Sequence, residues 1–115
     1  MGSLLDTFTT ELRRGTLTLA VLSQLRTPQY GYSLVQQLEN AGVIIEQSTL
    51  YPLLRRLEKQ ELVSSSWDTN ESRPRKFYVL SDYGIEVYKQ LMDEWKKMTL
   101  ELKSLLQGDE NIESD

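Results

Sequence analysis

The sequence contains neither cysteine nor histidine among its 115 residues. Disulfides are therefore excluded, and so are the usual zinc ligands and the side chain that most readily exchanges protons near neutral pH. No apolar run approaches the about 20 residues that a membrane-spanning helix needs, and the N-terminus lacks the features of a secretory signal, so we expect a cytoplasmic protein. No nucleophile with a base and no phosphate-binding glycine loop can be found. We expect neither enzyme activity nor a cofactor.

Composition is typical of one globular domain, with 39% hydrophobic and 26% charged residues. The formal net charge is −4, but the charges are unevenly distributed. Residues 48–80 carry six basic and four acidic side chains, whereas residues 81–115 carry nine acidic and four basic ones. A basic surface in the middle of the chain can therefore coexist with a negative total. Residues 108–115 are acidic and poor in apolar side chains, which predicts a disordered tail.

Two core helices are predicted in the first half of the chain. Residues 17–25 are apolar nearly all round, which predicts a central helix that ends before Pro28. A turn over residues 27–31 should follow, and a second helix that starts near Tyr32 or Ser33 should end at Gly42. A short N-terminal helix that covers a dimer interface is indicated by four apolar residues, Leu4, Leu5, Phe8 and Leu12.

A third predicted helix has one leucine face. Leucines recur at helical spacing, at Leu50, Leu53, Leu54 and Leu57. Ser48 is the predicted N-cap, and Pro52 then lies in the first turn or just past it, where its missing amide hydrogen costs little. Tyr51, Arg55 and Lys59 fall toward the side that the leucines leave uncovered.

After Glu61 the pattern changes from helical to extended. Residues 62–67 and 76–80 are rich in β-branched and aromatic side chains and predict the two strands of a hairpin. The polar connector 68–74 has the character of a wing loop. Three helices followed by a hairpin is the order of a winged helix, in which the third helix enters the major groove of DNA. The predicted fold class is mainly α, a winged helix-turn-helix with a two-stranded wing.

A long last helix, capped by Ser81 and Asp82, is predicted from Tyr83 to about Leu106. Its apolar residues alternate steps of three and four, as in a coiled-coil seam, which predicts dimerisation through Tyr88, Leu91, Trp95, Met98, Leu102 and Leu105. The predicted organisation is a DNA-binding domain with its N-terminal helix over residues 1–82, a dimerisation helix over 83–107 and the tail over 108–115.

Four stretches of the sequence resemble the PadR family of regulators. They are Arg-Gly-Thr-Leu-Thr-Leu-Ala-Val-Leu at 14–22, Tyr-Gly-Tyr-Ser-Leu at 30–34, Ser-Thr-Leu-Tyr-Pro-Leu-Leu-Arg-Arg-Leu-Glu at 48–58 and Arg-Lys-Phe-Tyr-Val-Leu-Ser-Asp-Tyr-Gly at 75–84. The single C-terminal helix looks like the compact branch of that family. Two positions depart from the family pattern, because Ser48 and Glu61 stand where the family usually has glycine.

The resemblance implies a homodimeric repressor that binds operator DNA and is relieved by a small effector. The family's recognition-helix and wing positions fall on Ser48, Thr49, Tyr51, Pro52, Arg55, Arg56, Arg73, Arg75 and Lys76. Lys59, on the same uncovered side, joins this candidate set. A guanidinium can bond two acceptors on a phosphate or a guanine edge. The alternatives stay open, namely a merely solvated helix face for Arg55 and Arg56 and half-buried packing for Tyr51.

In compact relatives, a tryptophan at the position of Trp95 faces the equivalent tryptophan of the second protomer, and flat aromatic ligands bind between the two rings. The resemblance thus makes Trp95, with Met92 and Phe8, the candidate effector site, while ordinary dimer core remains the alternative. A second hypothesis for the whole chain is a winged-helix module used only for protein contacts. A third, an enzyme, has no residue set to support it.

Overall fold

A single helix, α1, runs from Leu4 to Ser23 in the computed structural model, which describes residues 2–70 and 72–108. Its first turn is a capping box, because the Ser3 hydroxyl accepts from the Asp6 amide at 3.0 Å and the Asp6 carboxylate accepts from the Ser3 amide at 3.2 Å. The N-terminal helix predicted over Leu4 to Leu12 therefore forms, but it is not short, because it continues into the core helix predicted from Leu17. The polar stretch at 13–16 contains no proline, and Gly15 costs a helix only about 1 kcal/mol, so the helix continues through it.

The helix-turn-helix consists of α2, Gly31–Asn40, and α3, Gln47–Lys59. Gly42 ends α2 as predicted, with a φ of 88°, and the Val43 amide donates to the Leu38 carbonyl at 2.8 Å, which is a Schellman cap. The predicted N-cap of α3 is wrong, since the helix begins at Gln47 and Ser48 lies in its first turn.

The earlier start of α3 places Pro52 further inside the helix than predicted. Because proline has no amide hydrogen, it removes the intrahelical bond that would end on the Ser48 carbonyl. The helix still forms because its four leucines, Leu50, Leu53, Leu54 and Leu57, are buried in the core as predicted.

Glu61 closes α3 in the left-handed conformation, with a φ of 64°. The Leu62 amide donates to the Leu57 carbonyl and the Glu61 amide to the Glu58 carbonyl, both at 3.0 Å, so this end is also a Schellman cap. A glycine would adopt this conformation without strain. Glu61 thus adopts a backbone conformation that is unfavourable for a residue with a side chain.

The sheet has three antiparallel strands in the order β1-β3-β2. The strands β2, Val63–Asp68, and β3, Arg75–Leu80, form the predicted hairpin, with Val63 opposite Leu80 and Asp68 opposite Arg75. The third strand was not predicted. This strand, β1, covers only Gln29–Tyr30, inside the predicted turn, and pairs with Tyr78 and Phe77.

The last helix, α4, extends from Asp82 to Leu106. Ser81 caps it as predicted, since its hydroxyl accepts from the Gly84 amide at 2.9 Å. The first turn of α4 lies against the end of α3 and the start of β2, where the Ser81 amide donates to the Leu62 carbonyl at 3.0 Å. Gly84 is buried at this crossing, and a Cβ atom there would overlap the Leu62 carbonyl oxygen.

We expect Gly84→Ala to destabilise the domain by about 1–3 kcal/mol, because the added methyl group forces α4 away from backbone atoms that cannot rotate aside. Urea unfolding followed by circular dichroism measures this change. Gly15→Ala is the matched control, since nothing lies within 4 Å of its Cβ position. Equal stability of the two variants would contradict the close packing at Gly84.

The hydrophobic core lies between α1, α2, α3 and the inner face of the sheet, with Leu22, Leu25, Leu34, Leu50 and Leu54 fully buried. Most of the predicted acidic tail, from Asp109 onward, lies outside the described residues. Among the helices that the structure describes, none is long and apolar enough to cross a membrane.

Candidate nucleic-acid interface

The side of α3 opposite its buried leucines is exposed along the whole helix. It presents hydroxyls near the start and cations toward the end, at Ser48, Thr49, Pro52, Arg55, Arg56 and Lys59. These six candidate residues therefore lie on one continuous surface. We call this surface the α3 face.

Tyr51 lies beside the α3 face rather than on it. The side chain is half-buried and packs against the core. Its ring covers Gly31, the first residue of α2, where an added Cβ would come within 2.6 Å of Tyr51 Cζ. Tyr51 thus packs α3 against the start of α2.

Of the three candidate wing cations, Arg73 is exposed in the loop between β2 and β3, whereas Arg75 and Lys76 are half-buried. Arg75 Nη1 donates to the Tyr32 hydroxyl at 2.8 Å, and its guanidinium lies 4.6 Å from the centroid of the Tyr30 ring. Intramolecular partners thus engage Arg75 in this structure.

Lys76 connects the wing to α3. Its Nζ atom lies 3.9 Å from Glu58 Oε1 and 5.8 Å from the ring centroids of Trp67 and Tyr78. The second Glu58 oxygen accepts a hydrogen bond from the Ser65 hydroxyl on β2. Burial, together with the nearby Tyr51 and Glu58, raises the pKa of Tyr78, which keeps this phenol neutral. Through these contacts Glu58 connects both strands of the wing to α3.

The outer face of the wing carries a cluster that the sequence did not predict, formed by Tyr30, Tyr32, Asp68, Arg75 and Phe77. Tyr30 stacks on Phe77 with ring centroids 4.5 Å apart and on Tyr32 at 5.7 Å. The Tyr30 hydroxyl donates to Asp68 Oδ2 at 2.5 Å. The alternation of Arg75, Phe77 and Val79 along β3 is the signal that could have identified it, but the cluster needs β1 to complete it.

Hydrogen bonds stabilise the ionised form of Asp68. The bond from Tyr30, with a second from the Asn70 amide at 3.1 Å, lowers the pKa of Asp68, and Arg75 acts in the same direction. Because the pKa of Asp68 is lower in the folded state, these hydrogen bonds stabilise the fold at pH values above the ordinary aspartate pKa of 3.8. This stabilisation is lost as the pH falls below that value and the carboxylate is protonated.

We therefore expect Asp68→Asn to be less stable than the wild type at neutral pH, with the difference shrinking as the pH falls below 3.8. Thermal unfolding of both proteins across this pH range measures the difference. Asp93→Asn, an exposed position on α4, controls for the loss of one carboxylate. A wild-type to Asp68→Asn difference that stays constant with pH would contradict the role of these hydrogen bonds.

The predicted dimerisation seam on α4 is exposed from Leu91 onward. Trp95 is 44% exposed and Leu105 75% exposed, and Met98 and Leu102 lie between them on the same side of the helix. Tyr88 differs, because it packs against the core of its own domain. Of the candidate effector residues, Met92 is half-buried, while Trp95 and Phe8 are exposed on helices that contact each other.

The family model described as the transcriptional regulator PadR-like family matches residues 18–90, more than half of the chain. A solved structure of a PadR family transcriptional regulator from Eggerthella lenta is similar, with 47% identity, a TM-score of 0.85, and coverage of 90% of this chain and 92% of that one. A PadR-like transcriptional regulator from Bacillus cereus is 26% identical with a TM-score of 0.75, covering 84% of this chain and 97% of that one. A curated but uncharacterized protein from Lysinibacillus sphaericus is 27% identical over 103 residues, which are 85% of this chain and 94% of that protein.

Proposed function

Because the chain belongs to the PadR-like family of transcriptional regulators, we propose that it is a sequence-specific repressor that inserts α3 into the major groove of operator DNA. The observation that carries this proposal is the division of α3 into a buried leucine side and an exposed side with three cations, Arg55, Arg56 and Lys59. A helix of this kind fits the major groove with its cations beside phosphates and base edges.

The position of the wing also supports the placement of α3 in the major groove. Arg73 is exposed in the wing loop, and the contacts of Glu58 hold the wing beside α3. In this proposal Arg73 reaches a phosphate or the minor groove directly. Arg75 and Lys76 must exchange their present partners for phosphates, or act by positioning the wing.

We propose that the active form is a homodimer joined through the seam from Leu91 to Leu105. Exposed apolar side chains also follow α1, at Leu4, Leu5, Phe8 and Leu12. Contiguous apolar surface of this extent usually marks an interface. A two-fold dimer would present its two α3 helices to successive major grooves about 34 Å apart.

We further propose that a small aromatic or apolar effector binds at this interface, against Trp95, Met92 and Phe8, and relieves repression. Trp95 offers a flat ring and Met92 an adaptable thioether for such a ligand. The effector would act by favouring a dimer in which the separation of the two α3 helices no longer matches the operator.

The DNA proposal predicts a steep dependence of affinity on salt. With about three phosphate contacts in each protomer, the slope of log affinity against log salt should be roughly −5 for the dimer. Fluorescence anisotropy with a duplex from the region upstream of the chain's own gene measures the slope. Lys59→Ala should make the slope less steep by about 1 for each phosphate that the lysine no longer neutralises. A slope near zero would contradict DNA binding and leave the protein-contact module as the better hypothesis.

A further inference from the structure

A groove of about 580 Å³ lies between α1 and the segment that connects α2 to α3. Its apolar part is formed by Leu17 and Ala20 from α1 and by Val43 and Ile45 from the connecting segment. Ile44 adds to it and is 73% exposed. The volume lies within the range of about 300–1,000 Å³ that is usual for small-molecule sites.

The groove is separate from the proposed dimer and effector surface. Leu17 follows Phe8 by nine residues, which is roughly two and a half turns of an α-helix, so the two side chains lie on opposite sides of α1. Phe8 and Leu12 face away from the groove, and neither lines it. A ligand in the groove therefore leaves the exposed apolar stripe of α1 uncovered.

Two cations and one carboxylate line the groove. Arg13 and Arg14 are exposed, and their side chains border its α1 side. The carboxylate of Glu46 lies near α3, with its Oε2 atom 3.4 Å from the Ser48 hydroxyl. The threonine hydroxyls of Thr10 and Thr16 donate to carbonyls of α1. The charged groups therefore favour a ligand that carries one negative charge.

We propose that this groove binds a free amphiphilic monocarboxylate, with its hydrocarbon chain against Leu17, Ala20, Val43 and Ile45 and its carboxylate on Arg13 and Arg14. Burial of the hydrocarbon supplies the driving force. The guanidinium groups supply the preference for an anion, because an arginine can bond both carboxylate oxygens at once.

Occupancy of the groove would also affect the α3 face. Thr49 belongs to both surfaces, since it lines the groove and is exposed at the start of α3. A bound carboxylate would place negative charge beside the path of the DNA. This consequence rests on the proposed DNA binding, whereas the ligand site itself does not.

The test is isothermal titration of the full chain with dodecanoate below its micelle concentration. Dodecyltrimethylammonium has the same tail with a cationic head and should bind at least tenfold more weakly, roughly the effect of one charge-assisted contact. The double variant Arg13→Gln, Arg14→Gln should also weaken dodecanoate binding about tenfold or more. Arg26→Gln with Lys96→Gln is the matched control, because it removes the same charge from exposed positions that do not line the groove.

A variant with Ile44→Gln tests the apolar part, and Trp95→Leu tests whether the ligand binds at the dimer surface instead. The proposal requires weaker binding with Ile44→Gln and unchanged binding with Trp95→Leu. The proposal would be overturned if both surfactants bound equally or if the two double variants had equal effects. It would also be overturned if Trp95→Leu alone abolished binding. Absence of dodecanoate binding together with a lower molecular mass for Ile44→Gln would identify the groove as a contact with a second copy, and would also overturn it.

Discussion

Replacing Arg55 and Arg56 together by alanine should weaken operator binding by about 2–6 kcal/mol for each protomer that contacts the DNA, since a bidentate arginine–base contact contributes about 1–3 kcal/mol. Both side chains are exposed on the α3 face, away from the buried leucines. The fold should therefore survive, and thermal unfolding should remain close to that of the wild type. Anisotropy at one fixed salt concentration measures the affinity.

The matched control is Arg26→Ala with Lys89→Ala, which removes the same charge from exposed positions off the α3 face. A long-range electrostatic effect alone would weaken binding equally in both double variants. That equality would contradict α3 as the DNA-contacting helix. If the protein instead used its winged helix only for protein contacts, neither variant would change DNA binding.

Leu102→Glu should convert the proposed dimer to a monomer. Leu102 lies on the α4 seam and is 50% exposed in the single chain. In a two-fold dimer the substitution places two carboxylates, one from each protomer, in an apolar interface, where an unpaired charge costs several kcal/mol. The mass measured by sedimentation should fall from twice the 13.4 kDa of one chain to that of a single chain.

Leu100→Glu provides the matched control for dimerisation. Leu100 is 69% exposed on the same helix, but it lies two residues away and points to the other side. The same substitution there should leave the dimer intact. Dissociation by both variants, or by neither, would contradict the seam from Leu91 to Leu105.

Periodicity explains which parts of the fold were predictable. The spacing of Leu50, Leu53, Leu54 and Leu57 requires a helix with one buried side, and the structure buries all four. The hairpin was equally visible, because two β-rich segments flank a polar connector. In both cases the signal lies within short segments of the chain and does not depend on tertiary contacts.

Of the errors, only the missed strand β1 comes from a contact that is distant in sequence. Two residues, Gln29 and Tyr30, are too few to show alternation, so β1 exists only because β3 lies beside it. The continuity of α1 depends on the capping box at Ser3 and on the absence of any residue that breaks the helix. The start of α3 at Gln47 could not be read from Ser48, which is a good N-cap residue that is not used as one.

Among the candidate site residues, the exposed cations of α3 followed from the pattern, whereas the environment of the wing cations did not. Arg75 contacts Tyr32, 43 residues away, and Lys76 contacts Glu58. Such pairings depend on how α2 and α3 dock against the sheet. The groove beside Arg13 likewise forms only where α1 meets residues 43–46.

The most direct test of DNA binding by α3 is site-specific crosslinking, which the lack of cysteine makes simple. A photoactivatable reagent is attached to Ser48→Cys on the α3 face or to Ser104→Cys near the end of α4, and each protein is irradiated with operator duplex. We expect crosslinks to DNA from position 48 and none from position 104. Crosslinks from position 104 with none from position 48 would show that the duplex lies elsewhere.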